Sequence, residues 1–357
     1  MNEGSGFTYA AAGVDIAAGD EAVDRIRKTV RSTFRPGVLG DVGAFGALFE
    51  LDMATWRRPV LVSSTDGVGT KLLVAGATGR WDTVGIDLVA MCVDDLVCQG
   101  AEPLFLLDYL AVGRLDPDVA AVVVEGVAEG CRRAGCALVG GEMAEHPDAM
   151  TDDQLDLAGF AVGVVERDGI LGPDRVRPGQ VLVGLPSPGL RSNGFSLARR
   201  VLLDHAGRSL HEPAWPGADQ ALADVLLEPS VVYARPVLAA VRSAEGAVAA
   251  AAHITGGGLP GNVVRILPEG CDAVLDRRRW QVPRIFTVIQ EAGAVEQAEM
   301  DRVFNLGLGM VLAVGPDHVD SAVAALAGAG QEALVVGEVV EGERRVVLVD
   351  GDPGGAG

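Results

Sequence analysis

The sequence has few cysteines and few aromatic residues, with five Cys and 4% aromatics in 357 residues. The odd number of cysteines and the lack of a Cys-x-x-Cys pair fit reduced thiols better than disulfides or a zinc site. No apolar run reaches the ~20 residues that cross a bilayer, and the first residues, MNEGSGFTYA, lack the basic and apolar segments of a signal peptide. We therefore expect a soluble, cytoplasmic protein without a membrane partner.

Basic residues are also scarce. The chain has 29 Lys and Arg against 49 Asp and Glu, which gives a formal net charge of −20. This balance argues against non-specific nucleic-acid binding, since phosphate backbones attract positively charged surfaces. It leaves room for a phosphorylated small molecule held by a local group of donors. The length predicts two domains, and 49% hydrophobic residues with few aromatics predict a core of Ala, Val and Leu.

No Walker A sequence is present, and the literal G-x-G-x-x-G from Gly256 to Gly261 does not predict a dinucleotide site. Pro260 fits the first turn of a helix, no βαβ unit surrounds it and no acid follows at the required distance. A nucleotide site would therefore be of another kind. Consecutive glycines before a helix still suit a phosphate or carboxamide nest. His253 is most simply a packed residue, but beside this loop it becomes a candidate for proton transfer or substrate contact.

The stretch PVLVSSTDGVGTK, Pro59 to Lys71, organises the first half. A short apolar strand at Val60–Val62 leads into a carboxylate, Asp66, then a glycine-rich turn and Lys71. The pattern offers a carboxylate for a metal, backbone N–H groups for phosphate oxygens and an ammonium for negative charge. The simpler alternative is a strand that ends in an Asp-Gly hairpin turn.

The segment from Trp81 to Gln99 predicts a helix that is buried nearly all round, interrupted by Asp87, Asp94 and Asp95. A bare buried carboxylate costs several kcal/mol, so these acids need a raised pKa, a paired cation or a metal. An Asp–Arg pair is the structural alternative, with candidate partners Arg57, Arg58 and Arg80. We favour a metal, because Asp66 supplies further oxygen ligands.

A second carboxylate follows a glycine pair at Gly140-Gly141-Glu142, after the predicted strand Ala137–Val139. Placed at neighbouring strand ends, Asp66 and Glu142 would grip one or two Mg²⁺ ions through oxygen ligands.

The remaining pattern gives an order of elements and domains. Helices are predicted at Asp20–Arg31 with Asp20 as a cap, at Asp116–Arg133, and from Phe195 to Leu203. Ser192–Gly194, just before the third helix, either cap it or place its N-terminus against an anion. Asp174–Gln180 interrupts two strand patterns. We predict an extended arm over 1–18, domains over 19–176 and 177–350, and a frayed tail over 351–357.

Seven short segments occur in a specific order and spacing: YAAAGVDI, STDGVGTK, GIDLVAMCVDDLVCQGAEPLF, LVGGEMAE, RSNGFSL, HITGGG and FNLGLGM. In these segments the chain resembles the phosphoribosylformylglycinamidine cyclo-ligases, or aminoimidazole ribonucleotide (AIR) synthetases, of purine biosynthesis. The resemblance runs from about Tyr9 to Val349.

The resemblance implies an α+β / α/β, AIR synthetase-like architecture. An N-terminal mixed αβ domain would pair with its twin in a homodimer and close a β-barrel, and a C-terminal α/β sandwich domain would follow. It also implies ATP-dependent ring closure of formylglycinamidine ribonucleotide to AIR, with release of ADP and phosphate through an iminophosphate-type intermediate. ATP and Mg²⁺ are the implied cofactors.

The resemblance further implies site residues. Metal ligands would be Asp66, Asp95 and Glu142, with Asp94 as an accessory. The ATP phosphates would contact Asp66, Gly67, Gly69, Thr70 and Lys71. The ribonucleotide would contact Ser192, Asn193, Gly194, Thr255, Gly256, Gly257 and Gly258, with Lys71 and His253 close to the chemistry.

Two positions depart from the family pattern, because Met143 stands where Thr is usual and Arg191 replaces a commoner His. Arg191 thereby weakens a general-base role at that position.

Sister enzymes are the alternatives: a thiamine-monophosphate kinase would carry Gly-Asp-Asp near the N-terminus, and a selenophosphate synthetase would carry a reactive residue before Cys92. A non-catalytic hydrogenase maturation protein would end in Cys, and this sequence ends in GGAG.

Overall fold

A computed structural model of the chain describes residues 8–243 and 247–350. The first part of the predicted arm and the whole predicted tail lie outside these residues. Within them, no helix is both long and apolar enough to cross a membrane.

The N-terminal domain is built on a four-stranded sheet with strand order β3-β6-β4-β5, in which only β4 and β5 run parallel. Helices cover one face of this sheet. The elements in chain order are α1 (Ile16–Arg31), β1 (Val38–Leu39), β2 (Leu48–Phe49), β3 (Pro59–Gly67), α2 (Leu72–Thr78), α3 (Val84–Cys98), β4 (Glu102–Val112), α4 (Pro117–Ala134), β5 (Ala137–Glu145) and β6 (Leu155–Glu166).

The C-terminal domain holds a six-stranded sheet in the order β12-β9-β11-β7-β10-β8, antiparallel except for the β12–β9 pair. Its elements are β7 (Val181–Pro186), α5 (Phe195–Arg199), α6 (Leu222–Leu226), α7 (Ala234–Ser243), β8 (Val248–His253), α8 (Gly258–Val263), β9 (Cys271–Asp276), α9 (Arg284–Gly293), α10 (Gln297–Val303), β10 (Leu308–Val314), α11 (Val319–Gly328), β11 (Leu334–Glu341) and β12 (Val346–Val349).

Helix α3 is the central element of the molecule. It packs against β3, β6 and α4 of its own domain and against α7 and β8 of the other. All but two of its 15 residues are buried, which confirms the prediction of a helix buried nearly all round. One continuous apolar core therefore runs through both domains, so the two domains are firmly packed together.

Several predicted boundaries were wrong for local reasons. Helix α1 begins at Ile16, because Asp15 rather than Asp20 caps it by accepting hydrogen bonds from two backbone N–H groups. Helix α5 ends at Arg199, and a wider π-helical segment, Arg200–His205, follows it directly. The cap predicted for α4 is confirmed, since Asp116 accepts bonds from the first turn and Pro117 opens the helix.

The strands that carry the predicted site are longer than their apolar runs. β3 continues through Ser63–Gly67 and pairs along its whole length with β6, so Asp66 lies within a strand rather than in a hairpin turn. β5 likewise runs past the glycine pair to Glu145 and stays paired with β4. Backbone pairing to a neighbouring strand maintains extended structure even where the side chains are polar.

Candidate active site

Asp87 and Lys71 form an ion pair inside the molecule. Lys71 Nζ lies 2.7 Å from Asp87 Oδ2, and both side chains are fully buried. Lys71 Nζ also donates a hydrogen bond of 2.8 Å to the backbone oxygen of Glu228, while Asp87 Oδ1 accepts bonds from the backbone N–H and hydroxyl of Ser230. Burial lowers the pKa of Lys71 against the raising effect of Asp87. Lys71 is therefore enclosed between the domains and does not line a cleft.

Asp94 forms a second buried ion pair. Its Oδ2 accepts a 2.7 Å bond from Arg191 and its Oδ1 a 2.9 Å bond from the backbone N–H of Tyr233. Arg191 also donates to the backbone oxygen of Val231 and stacks over the Tyr233 ring at 4.8 Å. Both carboxylate oxygens of Asp94 thus have partners from the C-terminal domain, and its role as an accessory metal ligand stays a prediction.

The structure pairs Asp87 and Asp94 with cations, and the metal role predicted for the α3 acids stays a prediction. The structural alternative of a paired cation applies to them, although the partners are Lys71 and Arg191. Of the three arginines considered, Arg80 pairs instead with Asp224. The physical reason is tertiary, because each cation reaches α3 only once the C-terminal domain is packed on it.

Asp95, one residue further on, faces a different environment. Its side chain is 45% exposed, and its Oδ1 lies 2.9 Å from Nδ1 of His253. Nε2 of the same ring lies 3.1 Å from an Arg191 nitrogen. A guanidinium can only donate, so Nε2 accepts and Nδ1 carries the proton that is donated to Asp95. His253 is therefore fixed between a guanidinium and a carboxylate.

The pKa values of the two neighbouring acids move in opposite directions. Burial would raise the pKa of Asp95, but the hydrogen bond from His253 and the hydroxyl of Ser64 hold it below the usual value. Burial raises the pKa of Asp66, and the charge of nearby Asp95 adds to that rise. Oδ1 of Asp66 accepts the Gly67 N–H at 2.7 Å.

This acid pair fits Mg²⁺, which proteins commonly bind through one or two carboxylates plus substrate phosphates. Two carboxylates that repel one another would both be stabilised by a divalent cation. No group of three or more His, Cys, Asp or Glu side chains suited to a metal occurs within residues 8–243 and 247–350, and within one chain the two carboxylates that interact at this point are Asp66 and Asp95.

Glu142 does not join this pair within one chain. Pairing aligns Asp66 with Gly159, Asp108 and Gly141 in one row across the sheet, and three strand spacings correspond to about 14 Å. Glu142 follows Gly141, so its side chain points to the opposite face. The expectation of neighbouring strand ends was wrong, because β3 and β5 are the two outer strands of the four-stranded sheet.

A cleft of about 620 Å³ opens beside Asp95 between the two domains. The N-terminal domain contributes Val60–Ser64 and the C-terminal domain contributes His253 and Arg265. Arg265 is a basic residue of this lining that the sequence interpretation missed. Its position in the turn after α8, the helix that follows the glycine loop, was the only available signal.

The Thr255–Gly258 loop connects β8 to α8, and its conformation depends on Asn262. The Asn262 amide donates to the backbone oxygens of Thr255, Gly256 and Gly258 at 3.2, 3.3 and 2.9 Å. Gly257 and Gly258 both have positive φ, a conformation that suits glycine. Asn262 is a further residue whose structural role the sequence did not reveal.

The Ser192–Gly194 loop lies against this glycine loop. A Cβ added at Gly256 would lie 3.4 Å from the amide oxygen of Asn193, whereas a Cβ added at Gly194, whose φ is +80°, would overlap the Phe304 ring. The hydroxyl oxygen of Ser192 is buried and has no hydrogen-bond partner among the described residues. Since buried polar atoms almost always have a partner, this oxygen is a candidate ligand contact.

The predicted phosphate contacts Gly67, Gly69 and Thr70 lie at the end of β3. The N–H of Gly67 is bonded to Asp66 and that of Val68 to Leu157, which leaves fewer free donors than a loop would give. Gly69 has φ +70° and begins a 3₁₀ turn. The hydroxyl of Thr70 lies 3.0 Å from that of Ser196, so this turn is joined to the start of α5.

Comparisons with known proteins are consistent in both domains. Family models described as AIR synthase related protein, N-terminal domain and C-terminal domain, match residues 52–165 and 177–350. A phosphoribosylformylglycinamidine cyclo-ligase of Trichlorobacter lovleyi is 53% identical over 93% of this chain and 94% of its own. One of Geobacter metallireducens is 52% identical over 95% and 96%.

Solved structures with the same fold are more distant in sequence. A thiamine-monophosphate kinase of Stenotrophomonas maltophilia has a TM-score of 0.65 at 19% identity and covers 92% of this chain and 95% of its own. Escherichia coli HypE has a TM-score of 0.63 at 18% identity, with coverage of 94% and 93%. At these identities the likeness shows the fold alone.

Proposed function

The chain belongs to the phosphoribosylformylglycinamidine cyclo-ligase family, and from that premise we propose which of its residues perform the ATP-dependent ring closure. The reaction converts formylglycinamidine ribonucleotide to 5-aminoimidazole ribonucleotide in purine biosynthesis. The sister enzymes share the fold, but the close relatives are cyclo-ligases. We place the domain boundary at residues 176 and 177.

The carboxylate pair Asp66 and Asp95, beside the cleft between the domains, is the observation that carries this assignment. In the proposed mechanism the γ-phosphoryl group of ATP moves to the amide oxygen of the substrate and gives an iminophosphate. A nitrogen of the same molecule attacks the activated carbon, the C–O bond breaks and phosphate leaves. Mg²⁺ bound at the pair would neutralise the phosphate oxygens, while the two acids hold their positions, since such chemistry depends mainly on positioning and charge.

Substrate contacts follow from the surroundings of the pair. Arg265 supplies positive charge in the cleft, and the Thr255–Gly258 and Ser192–Gly194 loops supply backbone donors together with the Ser192 hydroxyl. We assign these groups to the ribonucleotide. Gly67, Gly69 and Thr70 remain candidates for ATP contact at the end of β3.

We assign Lys71 and His253 positioning roles. Lys71 joins the domains through Asp87 and Glu228. His253 spans from Arg191 to Asp95 and so holds one carboxylate in place and ionised. Both of its ring nitrogens already have partners, which argues against it as the acceptor of the ring-closing proton.

A homodimer with a closed β-barrel is supported by the uncovered face of the N-terminal sheet. Leu61, Tyr109 and Phe160 lie on that face and are 65%, 42% and 42% exposed. Outer strands β3 and β5 also leave unpaired backbone groups that a second copy would satisfy. Glu142 lies on β5 opposite Tyr109 of β4, and its side chain points to this same face. Its predicted metal role therefore depends on a site shared between two copies.

ADP release tests the assignment. Release should require both formylglycinamidine ribonucleotide and Mg²⁺. Asp66→Asn and Asp95→Asn should lower kcat by orders of magnitude without a change in melting temperature. Asp168→Asn, an exposed acid outside the cleft, is the matched control and should match wild type. Normal kinetics in both site variants would remove the carboxylate pair from the mechanism.

Mixed dimers test the shared site. If Glu142 acts across the interface, combining Asp95→Asn chains with Glu142→Gln chains should restore part of the activity that each variant lacks alone. An active Glu142→Gln enzyme, or a monomeric mass in light scattering, would count against a shared metal site.

A further inference from the structure

Two candidate binding segments from different domains meet at a pair of hydroxyl groups. Thr70 lies in the Gly69–Lys71 turn after β3, Ser196 is the second residue of α5, and their hydroxyl oxygens are 3.0 Å apart. Neither hydroxyl has another hydrogen-bond partner within the described part of the chain. The contact therefore joins the segment that we assign to ATP to the helix that follows the Ser192–Gly194 loop, which we assign to the ribonucleotide.

A buried contact beside the hydroxyl pair holds the turn and the helix together. Lys71 Nζ lies 5.7 Å from the centre of the Phe195 ring, and both side chains are buried. Lys71 is in turn fixed by its ion pair with Asp87. Thr70 precedes Lys71 and Ser196 follows Phe195, and their own contact lies at the surface. The core therefore sets where the two elements meet, and the hydroxyl pair aligns their exposed ends.

Glycines flank the hydroxyl pair in both segments. Gly69, with φ +70°, directly precedes Thr70, and Gly194, with φ +80°, lies two residues before Ser196. Glycine has the widest range of backbone conformations, so both segments can adjust when a ligand binds. Among the described residues, the Thr70–Ser196 contact is the only hydrogen bond between the turn and α5. A movement of one segment is therefore transmitted to the other through this bond.

We propose that Ser196 is a positioning residue that couples ATP binding to ribonucleotide binding through its hydrogen bond with Thr70. This inference rests on the assignment of the two segments under the proposed function. A ligand that orders one segment also aligns the other, so the second ligand loses less conformational entropy when it binds. The coupling is reciprocal, because each ligand must tighten the binding of the other by the same factor.

Titration calorimetry on the full-length protein measures this coupling. The dissociation constant of formylglycinamidine ribonucleotide is determined with and without Mg²⁺ and the β,γ-methylene analogue of ATP, which cannot transfer its γ-phosphoryl group. The ratio of the two constants is the coupling factor, and we expect about five or more for wild type. Ser196→Ala should lower this factor roughly two- to tenfold, the range that corresponds to one neutral hydrogen bond. The affinity for each ligand alone should change less.

Three further variants show whether the hydroxyl pair is responsible. Ser196→Thr keeps the hydroxyl at an exposed position and should keep the wild-type coupling factor. Ser321→Ala is the matched control, because Ser321 is also an exposed serine in the first turn of a helix, and it should leave the factor unchanged. In a Thr70→Val background, Ser196→Ala should have no further effect on the coupling factor, since the bond is already absent.

The coupling factor also separates positioning from a general effect on the fold. A serine that only supported the structure would lower the melting temperature or both separate affinities without changing the ratio. Melting temperatures of all variants are therefore measured alongside the titrations.

Two outcomes would overturn this role of Ser196 and leave the proposed function standing. One is a wild-type protein that binds both ligands without coupling, and the other is a Ser196→Ala variant with the wild-type coupling factor. Additive effects of Ser196→Ala and Thr70→Val on the factor would also overturn it, because the two hydroxyls would then not act as a pair. A wild-type protein that does not bind formylglycinamidine ribonucleotide would instead overturn the proposed function, and this inference with it.

Discussion

Replacing Lys71 with Met should destabilise the protein rather than weaken its affinity for ATP. The change removes the ammonium from a fully buried pair and leaves the Asp87 carboxylate with only the Ser230 hydrogen bonds. Breaking a buried ion pair from one side costs about 3–5 kcal/mol. Proton uptake sets an upper limit to this loss of stability, because protonating an aspartate of ordinary pKa at pH 7.5 costs about 5 kcal/mol. We therefore expect the free energy of unfolding to fall by about 3–5 kcal/mol.

Chemical denaturation measures this loss, and the sequence offers a matched control. Lys28 is the other lysine in the chain and is exposed on α1, so Lys28→Met should change the free energy of unfolding by less than about 0.5 kcal/mol. The double variant Lys71→Met, Asp87→Asn should recover part of the loss, since no unpaired charge then remains buried.

The opposite pattern would refute the argument. Suppose that Lys71→Met had the same midpoint denaturant concentration as wild type while the KM for ATP rose tenfold or more. Lys71 would then have to contact the ATP phosphates. The buried pair would then not be the state that binds ATP.

Three other predictions follow from named contacts. Burial raises the pKa of Asp108 to about 7 in the folded state. The contribution of Asp108 to stability is therefore present at low pH and is lost as pH rises from about 4 to about 7. Denaturation at pH 8 should find Asp108→Asn more stable than wild type by up to about 4 kcal/mol, and equal stability would refute this. Gly85→Ala would push a methyl group into the backbone of α4 at Val127, and a loss of about 3 kcal/mol is expected in the same assay. His253→Phe removes the donor that lowers the pKa of Asp95, so the acidic limb of the kcat/KM profile should move to higher pH; a uniform loss without that movement would indicate a different role.

The sequence was informative wherever the determining interactions are local. Helical periodicity identified α3, and the Asp116-Pro117 pair identified the start of α4. The polar end of β3 was placed wrongly, because strand pairing with β6 rather than side-chain pattern keeps Ser63–Gly67 extended. Local patterns therefore predict which elements exist better than they predict where a paired strand stops.

The site was predictable as a set of segments but not as a geometry. Asp66, Asp95 and His253 come from three separate segments that the structure brings together. Glu142 belongs to a segment of the same appearance, but strand order places β6 and β4 between it and Asp66 within one chain. Strand order depends on how the chain crosses over, and a motif does not encode that.

The acids of α3 show how one helix can serve both packing and chemistry. Asp87 and Asp94 are seven residues apart and therefore lie on one face, where each pairs with a cation beneath the C-terminal domain. Asp95 is turned about 100° from Asp94 and reaches the cleft instead. Because the two ion pairs fix the C-terminal domain on α3, they also fix His253 against Asp95. The carboxylate that we propose for catalysis, Asp95, is thus held in place by the same contacts that hold the domains together. A variant that loosens either ion pair should therefore change the geometry at Asp95 even though the substituted residue contacts no substrate.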